Sequence, residues 1–155
     1  MSLRRLYLVR HAHAGDRTRW SGDDDLRPLS DKGRRQAERL VQLLAGEPVD
    51  RVLSSPSVRC VETVEPLARE RSLKVEIERF LHEGSDSRDA LHAAEAAGAA
   101  NVVACTHGDI VPGILDLLLS AGVPVPRDAT WPKGSTWVLE GDGKRFDRVR
   151  YLPSA

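Results

Sequence analysis

Unbroken apolar runs alternate along this chain with stretches whose apolar positions recur every three or four residues. Leu6–Val9 is a continuous apolar run, the pattern of a strand covered on both faces. Ser30 then precedes Ala37, Leu40, Val41 and Leu44, a spacing that predicts a serine-capped helix ended by Gly46 and Pro48. Arg51–Ser54 reads as a short strand. Ser55-Pro56 reads as the cap and first helical residue of a helix carrying Val58, Val61, Val64, Leu67 and Ala68. Leu73, Val75 and Ile77 alternate with Lys74, Glu76 and Glu78, which predicts a half-exposed strand near a sheet edge. An alanine-rich helix is expected over 88–97, a buried strand over Asn101–Thr106, and the most apolar helix from His107-Gly108 to Ala121. Thr136–Glu140 and Arg145–Leu152 flank Asp142-Gly143, a hairpin signal. With no repeat and no linker, the expectation is a single α/β domain over 1–155 with a mainly parallel sheet.

Composition adds exclusions. A domain of 155 residues buries roughly 70% of its unfolded surface, enough for a core without staples. Lys plus Arg (23) balance Asp plus Glu (23), so no global field favours a nucleic-acid polymer or an anionic membrane as partner. No apolar run has the length of a signal peptide or a membrane span, and a cytoplasmic location is expected. Cys60 and Cys105 sit among apolar neighbours and are expected to be reduced, buried thiols.

In parallel sheets ligands bind at the carboxyl ends of the strands. Arg10 and His11 follow the first strand, and Ser54, Ser55, Pro56 and Arg59 the second. His82, Glu83 and Gly84 follow the third, and His107 and Gly108 the fourth. Two imidazoles, two guanidiniums and a carboxyl group on one rim suit phosphoryl chemistry. Arginine binds phosphoryl oxygens bidentately, cationic histidine binds them singly, and helix amino termini add favourable partial charge. A neutral imidazole can attack phosphorus and carry the group covalently, and Glu83 can protonate the leaving oxygen. Taken singly, each residue has a plain reading as a structural hydrogen-bonder or a solvated charge; their convergence favours the chemical one.

Val9-Arg10-His11-Ala12 after a strand, Ser54-Ser55-Pro56 with Arg59 and Thr63 downstream, and Thr106-His107-Gly108 after a late strand resemble the histidine phosphatase (phosphoglycerate-mutase-like) superfamily. Arg27-Pro28-Leu29-Ser30 with Gly33, Gln36 and Ala37 resembles that family's first helix. The resemblance implies a three-layer α/β/α fold around a six-stranded, mainly parallel sheet with one antiparallel strand. It also implies His11 as the phosphorylated nucleophile, with Arg10, Arg59 and His107 holding the phosphoryl group. Ser55 and Gly108, carried by the same motifs, are expected at the substrate. No metal and no cofactor is expected.

The short chain resembles the small phosphohistidine-phosphatase branch. The stretch from Ala12 through Gly15, Arg17, Trp20 and Gly22 to Asp24 also resembles the phosphatase half of certain bacterial Nudix fusion proteins. That second likeness implies a nucleotide, with Arg17 and Arg19 as extra phosphate contacts and Trp20 as a base platform. The expected partner is thus a phosphorylated small molecule, a nucleotide or a phosphohistidine protein. Mutases of the superfamily commonly carry Gly-Glu after the first histidine, where this chain has Ala12-His13, so mutase activity is not expected. The proton donor lies between Glu83, which is favoured, and Asp24 or Asp25 on the first loop.

Four other readings compete. His11-x-His13 resembles a metal-ligand pair of barrel hydrolases, but such barrels need about 250 residues. Cysteine phosphatases place Arg six residues after the Cys, whereas Pro66 follows Cys60 and Val111 follows Cys105 at that distance. No Gly-x-x-x-x-Gly-Lys loop is present. A module that binds phospho-ligands without turnover would have no need of a nucleophile among arginines.

Overall fold

The computed structural model describes residues 2–154. Six strands, β1 (Arg5–Arg10), β2 (Arg51–Ser54), β3 (Val75–Ile77), β4 (Asn101–Thr106), β5 (Thr136–Gly141) and β6 (Phe146–Leu152), form one sheet in the order β3-β2-β4-β1-β5-β6. The pairs β1–β4, β4–β2 and β2–β3 are parallel. β5 runs antiparallel to both β1 and β6, so it is the one reversed strand.

Alternation along the strands builds two cores, because successive side chains leave opposite faces of a sheet. Leu6, Leu8, Leu53, Val102, Ala104 and Leu139 pack with residues of α3 (Ser87–Glu95) and α4 (Ile110–Ser120). Tyr7, Val9, Val52, Val103, Cys105 and Val138 pack with residues of α1 (Asp31–Leu43) and α2 (Val58–Glu70). Each face therefore carries two helices, which is the three-layer architecture expected. Cys60 and Cys105 are free and buried. No helix among the described residues is long and apolar enough to cross a membrane.

Ser30 caps α1 as expected, its Oγ accepting from the Gly33 amide at 3.1 Å. Gly33 must be a glycine, because a Cβ there would overlap the His13 carbonyl oxygen. His13 is itself occupied in this junction. Its Nδ1 lies 2.6 Å from Ser30 Oγ, and its amide donates to Gln36 Oε1 at 2.8 Å.

The Ser55-Pro56 cap is corrected. α2 starts at Val58 with Ser57 at its N-cap position, and no side chain caps it. Both serine hydroxyls are drawn elsewhere: Ser55 Oγ lies 2.8 Å from His107 Nε2, and Ser57 Oγ donates to Asp25 Oδ1 at 2.9 Å. A serine with a better partner than its own helix's amides does not act as a cap. The alternating edge strand is also shorter than expected, because the Leu73 amide is drawn back to Ala68 O at 2.8 Å and only Val75–Ile77 joins the ladder.

Candidate active site

The parallel ladder brings three strand ends together. Arg10 ends β1 opposite Thr106 of β4. The His11 amide donates to Thr106 O at 2.9 Å, and the Ser55 amide to Cys105 O at 3.0 Å. Side chains that are 44 to 96 residues apart in sequence thus meet where the strands end, above a cavity of about 430 Å³ lined by Arg10, His11, Arg17, Arg27, Glu83, Gly108, Asp109 and Lys133, among others. A groove of about 440 Å³ lies between β3 and α3, but it holds the paired Arg51 and Glu76 rather than convergent free donors. Size does not choose between them; chemistry does.

His11 is buried, and its Nδ1 donates to Ala12 O at 2.8 Å. A carbonyl only accepts, so this bond fixes the proton on Nδ1 and leaves the Nε2 lone pair free. Burial, opposed by the Ala12 bond and reinforced by the nearby His107, Arg59 and Arg10 charges, lowers its pKa to about 3. Near neutral pH His11 is therefore an uncharged imidazole.

Around it stand cations with donors to spare. Among the described residues five buried side-chain atoms make no hydrogen bond, and four of them are Arg10 Nε, Arg59 Nε, Arg59 Nη2 and His107 Nδ1. Buried polar groups are nearly always paired, so such a concentration marks a place for an acceptor with several oxygens. Arg10 is fixed by Nη1 donating to Trp131 O at 2.9 Å, and burial lowers its pKa. His107 lies edge-on to His11 with 5.4 Å between ring centroids. Arg59 is 0% exposed; its Nη1 donates to Asp24 O at 2.8 Å, and its Nη2 lies 3.2 Å from Asp24 Oδ2 and 3.8 Å from Glu83 Oε2. A guanidinium this deep is tolerated because two carboxylates face it.

The three carboxyl groups weighed as proton donors differ in their surroundings. Burial pushes Asp24 up, but the hydrogen bond from Arg27 and the charges of Arg59, Arg27 and Arg17 outweigh it and hold it below the usual carboxylate range. Asp25 is held low first by its bond to His82, whose Nε2 is 2.9 Å from Asp25 Oδ1. The same bond raises the His82 pKa. Glu83 alone of the three lines the cavity with His11, and Arg17 Nη2 donates to its Oε1 at 3.1 Å.

The loop residues part company. Arg17 reaches the cavity, where it is engaged by Glu83 and lies 3.6 Å from Asp24. Arg19, with 88% of its side chain exposed, and Trp20 line a separate shallow cavity of about 280 Å³ that shares Gly15 and Arg27 with the first. The Trp20 indole N–H donates to Asp23 O at 2.9 Å. Gly108 lies against Arg10: a Cβ there would stand 2.8 Å from the guanidinium carbon. Gly108→Ala is thus expected to keep the fold, shift Arg10 and lower kcat/KM on the order of 10²-fold, the scale of a misplacement near 1 Å. Steady-state kinetics beside a melting curve check this, and an unchanged kcat/KM would remove Arg10 from the reaction.

Residue-by-residue reasoning did not single out Arg27, which donates to Ala14 O at 2.6 Å and to Asp24 Oδ1 at 3.0 Å, or Lys133. Lys133 lines the cavity, and burial and the neighbouring Arg10, Arg27, Arg17 and Arg59 lower its pKa. The signal available was its place just before an antiparallel strand. Among the described residues no cluster of three or more His, Cys, Asp or Glu side chains is arranged to hold a metal ion.

Comparison with known proteins shows the family and the fold. Residues 6–88 match the model of the histidine phosphatase superfamily, branch 1. A protein of Mycolicibacterium smegmatis (strain ATCC 700084 / mc(2)155) named 8-oxo-(d)GTP phosphatase is 38% identical over 143 residues, 88% of this chain. The match covers 44% of that relative, so this chain spans less than half of its length. A candidate phosphohistidine phosphatase, SixA, from Agrobacterium tumefaciens shares the fold with a TM-score of 0.75 at 24% identity, covering 98% of this chain and 99% of that one. The protein histidine phosphatase SixA complexed with tungstate superposes with a TM-score of 0.71 at 20% identity, covering 96% and 94%. On motif order, topology and these matches, the chain belongs to the histidine phosphatase superfamily, branch 1.

Proposed function

We propose that the chain, 1–155, acts as one catalytic unit that removes phosphoryl groups from phosphate monoesters or phosphohistidine through a phosphohistidine intermediate on His11. One observation carries this reading: a neutral imidazole with its Nε2 lone pair free stands among buried donors of Arg10, Arg59 and His107 that make no hydrogen bond. In the first step Nε2 attacks phosphorus, and the bond to the leaving oxygen breaks. The three phosphoryl oxygens accept from Arg10 Nε, Arg59 Nε and Nη2, and His107 Nδ1, which meets the charge of the transition state with fixed donors. Glu83 protonates a leaving alkoxide, then takes a proton from the water that attacks the phosphoimidazole. Ser55 orients His107 through the 2.8 Å contact to its Nε2.

The 38% identity to a protein named 8-oxo-(d)GTP phosphatase favours nucleotides within this class. The shallow cavity beside Trp20 offers a wall for a base, and stacking contributes about 1–3 kcal/mol per base.

Because protein donors meet the phosphoryl charge, turnover of p-nitrophenyl phosphate is expected to persist in EDTA. Vanadate, which adopts a five-coordinate form, is expected to inhibit competitively. Activity that disappears on chelation and returns with zinc or manganese would overturn this and favour a metal site at His11 and His13. Saturable phosphate binding without any turnover would favour the binding module.

A further inference from the structure

The cations of the cavity can be assigned partners one by one. Arg17 is engaged by Glu83 and Asp24, Arg27 by Asp24 and Ala14 O, and Arg59 by Asp24 and Glu83. Arg10 is held by Trp131 O. Lys133 is different. Among the described residues no carboxylate lies within ion-pair distance of it; the strongest charges acting on it are Arg10, Arg27, Arg17 and Arg59, and Asp16 acts on it only from beyond that distance. A half-buried ammonium whose strongest charged neighbours are cations, with no carboxylate paired to it, lacks the compensation that buried charges normally have.

Its position is fixed rather than incidental. Gln36 Nε2 donates to Lys133 O at 3.3 Å. The following residue, Gly134, donates its amide to Arg10 O at 3.0 Å and His11 O at 3.1 Å. Gly134 has φ +83°, a left-handed conformation that suits glycine and lets this segment fold against the end of β1. The backbone at Lys133 is therefore one residue away from atoms that hold the nucleophile. The cavity of about 430 Å³ also exceeds what one phosphoryl group fills, since sites of roughly 300–1,000 Å³ take ligands of drug size.

We propose that Lys133 is the contact for a second phosphate next to the one transferred, and that it selects phosphoanhydride chains, as in nucleoside di- or triphosphates, over lone monoesters. The inference rests on His11 accepting the phosphoryl group. The bond between the terminal phosphorus and its bridging oxygen breaks as the bond to His11 Nε2 forms. The electron pair stays on the bridging oxygen, and the released phosphate leaves as an anion beside the Lys133 ammonium. A phosphate whose second pKa is about 6 needs no proton to depart near neutrality. Water then takes the phosphoryl group from Nε2, giving orthophosphate and the free imidazole. Arg17 and Arg19 are less suited to this second contact: one is doubly engaged by carboxylates, and the other lies outside the cavity.

The test compares guanosine diphosphate with p-nitrophenyl phosphate on wild type, Lys133→Met and Lys133→Arg. The ratio of kcat/KM for the diphosphate over the aryl phosphate should fall at least about tenfold in Lys133→Met, chiefly through KM, and recover in Lys133→Arg. A structural role would lower both substrates together, and that result overturns the proposal. In a His11→Ala background, calorimetry should show pyrophosphate binding about tenfold or more tighter than orthophosphate, with the difference lost on adding Lys133→Met. Equal affinities overturn the subsite even if the enzyme turns over. A Lys133-dependent preference for pyrophosphate in a protein without any turnover supports the subsite and overturns the phosphatase reading instead.

Discussion

His11→Ala is expected to lower kcat on the order of 10⁴-fold or more while the protein still folds, because the covalent route has no substitute nucleophile. Rapid quenching of the wild type should trap phosphate on this one imidazole as an acid-labile, alkali-stable adduct. Label on Cys60 or on a serine would sink the mechanism, as would an alanine variant that retains a substantial share of the rate. The variant should also differ in acid. The native His11 pKa is about 3, against an ordinary value of 6.5 in the unfolded chain. Between those values the unfolded state takes up a proton that the native state refuses, so stability present above pH 6.5 is lost progressively as the pH falls toward 3, at up to about 1.4 kcal/mol per pH unit. Removing the imidazole removes that loss, and the acid-unfolding midpoint followed by circular dichroism should move to lower pH. A midpoint that moves up would show that His11 is charged in the native protein, and so not a ready nucleophile.

Much of this arrangement was legible before any coordinates, for a physical reason. A strand buried on both faces must be apolar along its length, so the first polar residues after Leu6–Val9 and after Asn101–Thr106 mark where the sheet ends. Parallel strands end on one rim, which is why Arg10, His11, Ser55 and His107 could be grouped from sequence alone. What stayed hidden involves strand direction and long-range pairing. An apolar run such as Thr136–Glu140 looks the same read forward or backward. Because β5 is antiparallel, the residues before it, rather than those after it, arrive at the rim, and they bring Lys133. Ser55 was misread as a cap because a serine before a helix has the same local signature whether it caps the helix or reaches His107. The carboxylates opposite Arg59 come from the loop before α1 and from the turn after β3, a pairing that no spacing rule specifies.

That buried guanidinium leads to the second large effect. Arg59→Lys keeps the positive charge opposite Asp24 and Glu83 but removes the planar fork, including the Nε and Nη2 donors that make no hydrogen bond in the protein. If those donors meet phosphoryl oxygens in the transition state, the loss should be about 10²–10³-fold in kcat, the scale found when one preorganised donor is removed. Thermal stability should change little by comparison, because an ammonium still offsets two carboxylates that are themselves partly exposed. Arg59→Met, which also removes the charge, should lower the melting temperature as well as kcat, since it takes away the buried cation opposite Asp24 and Glu83 and leaves only the more exposed Arg17 pairing with both. Two measurements on two variants therefore separate the roles. A normal kcat in Arg59→Lys would make Arg59 a structural counter-ion and leave the phosphoryl group to Arg10 and His107. A kcat that falls in Arg59→Lys while the melting curve holds would place the fork on the transferred group, with Asp24 and Glu83 as the carboxylates that make so deep a guanidinium affordable.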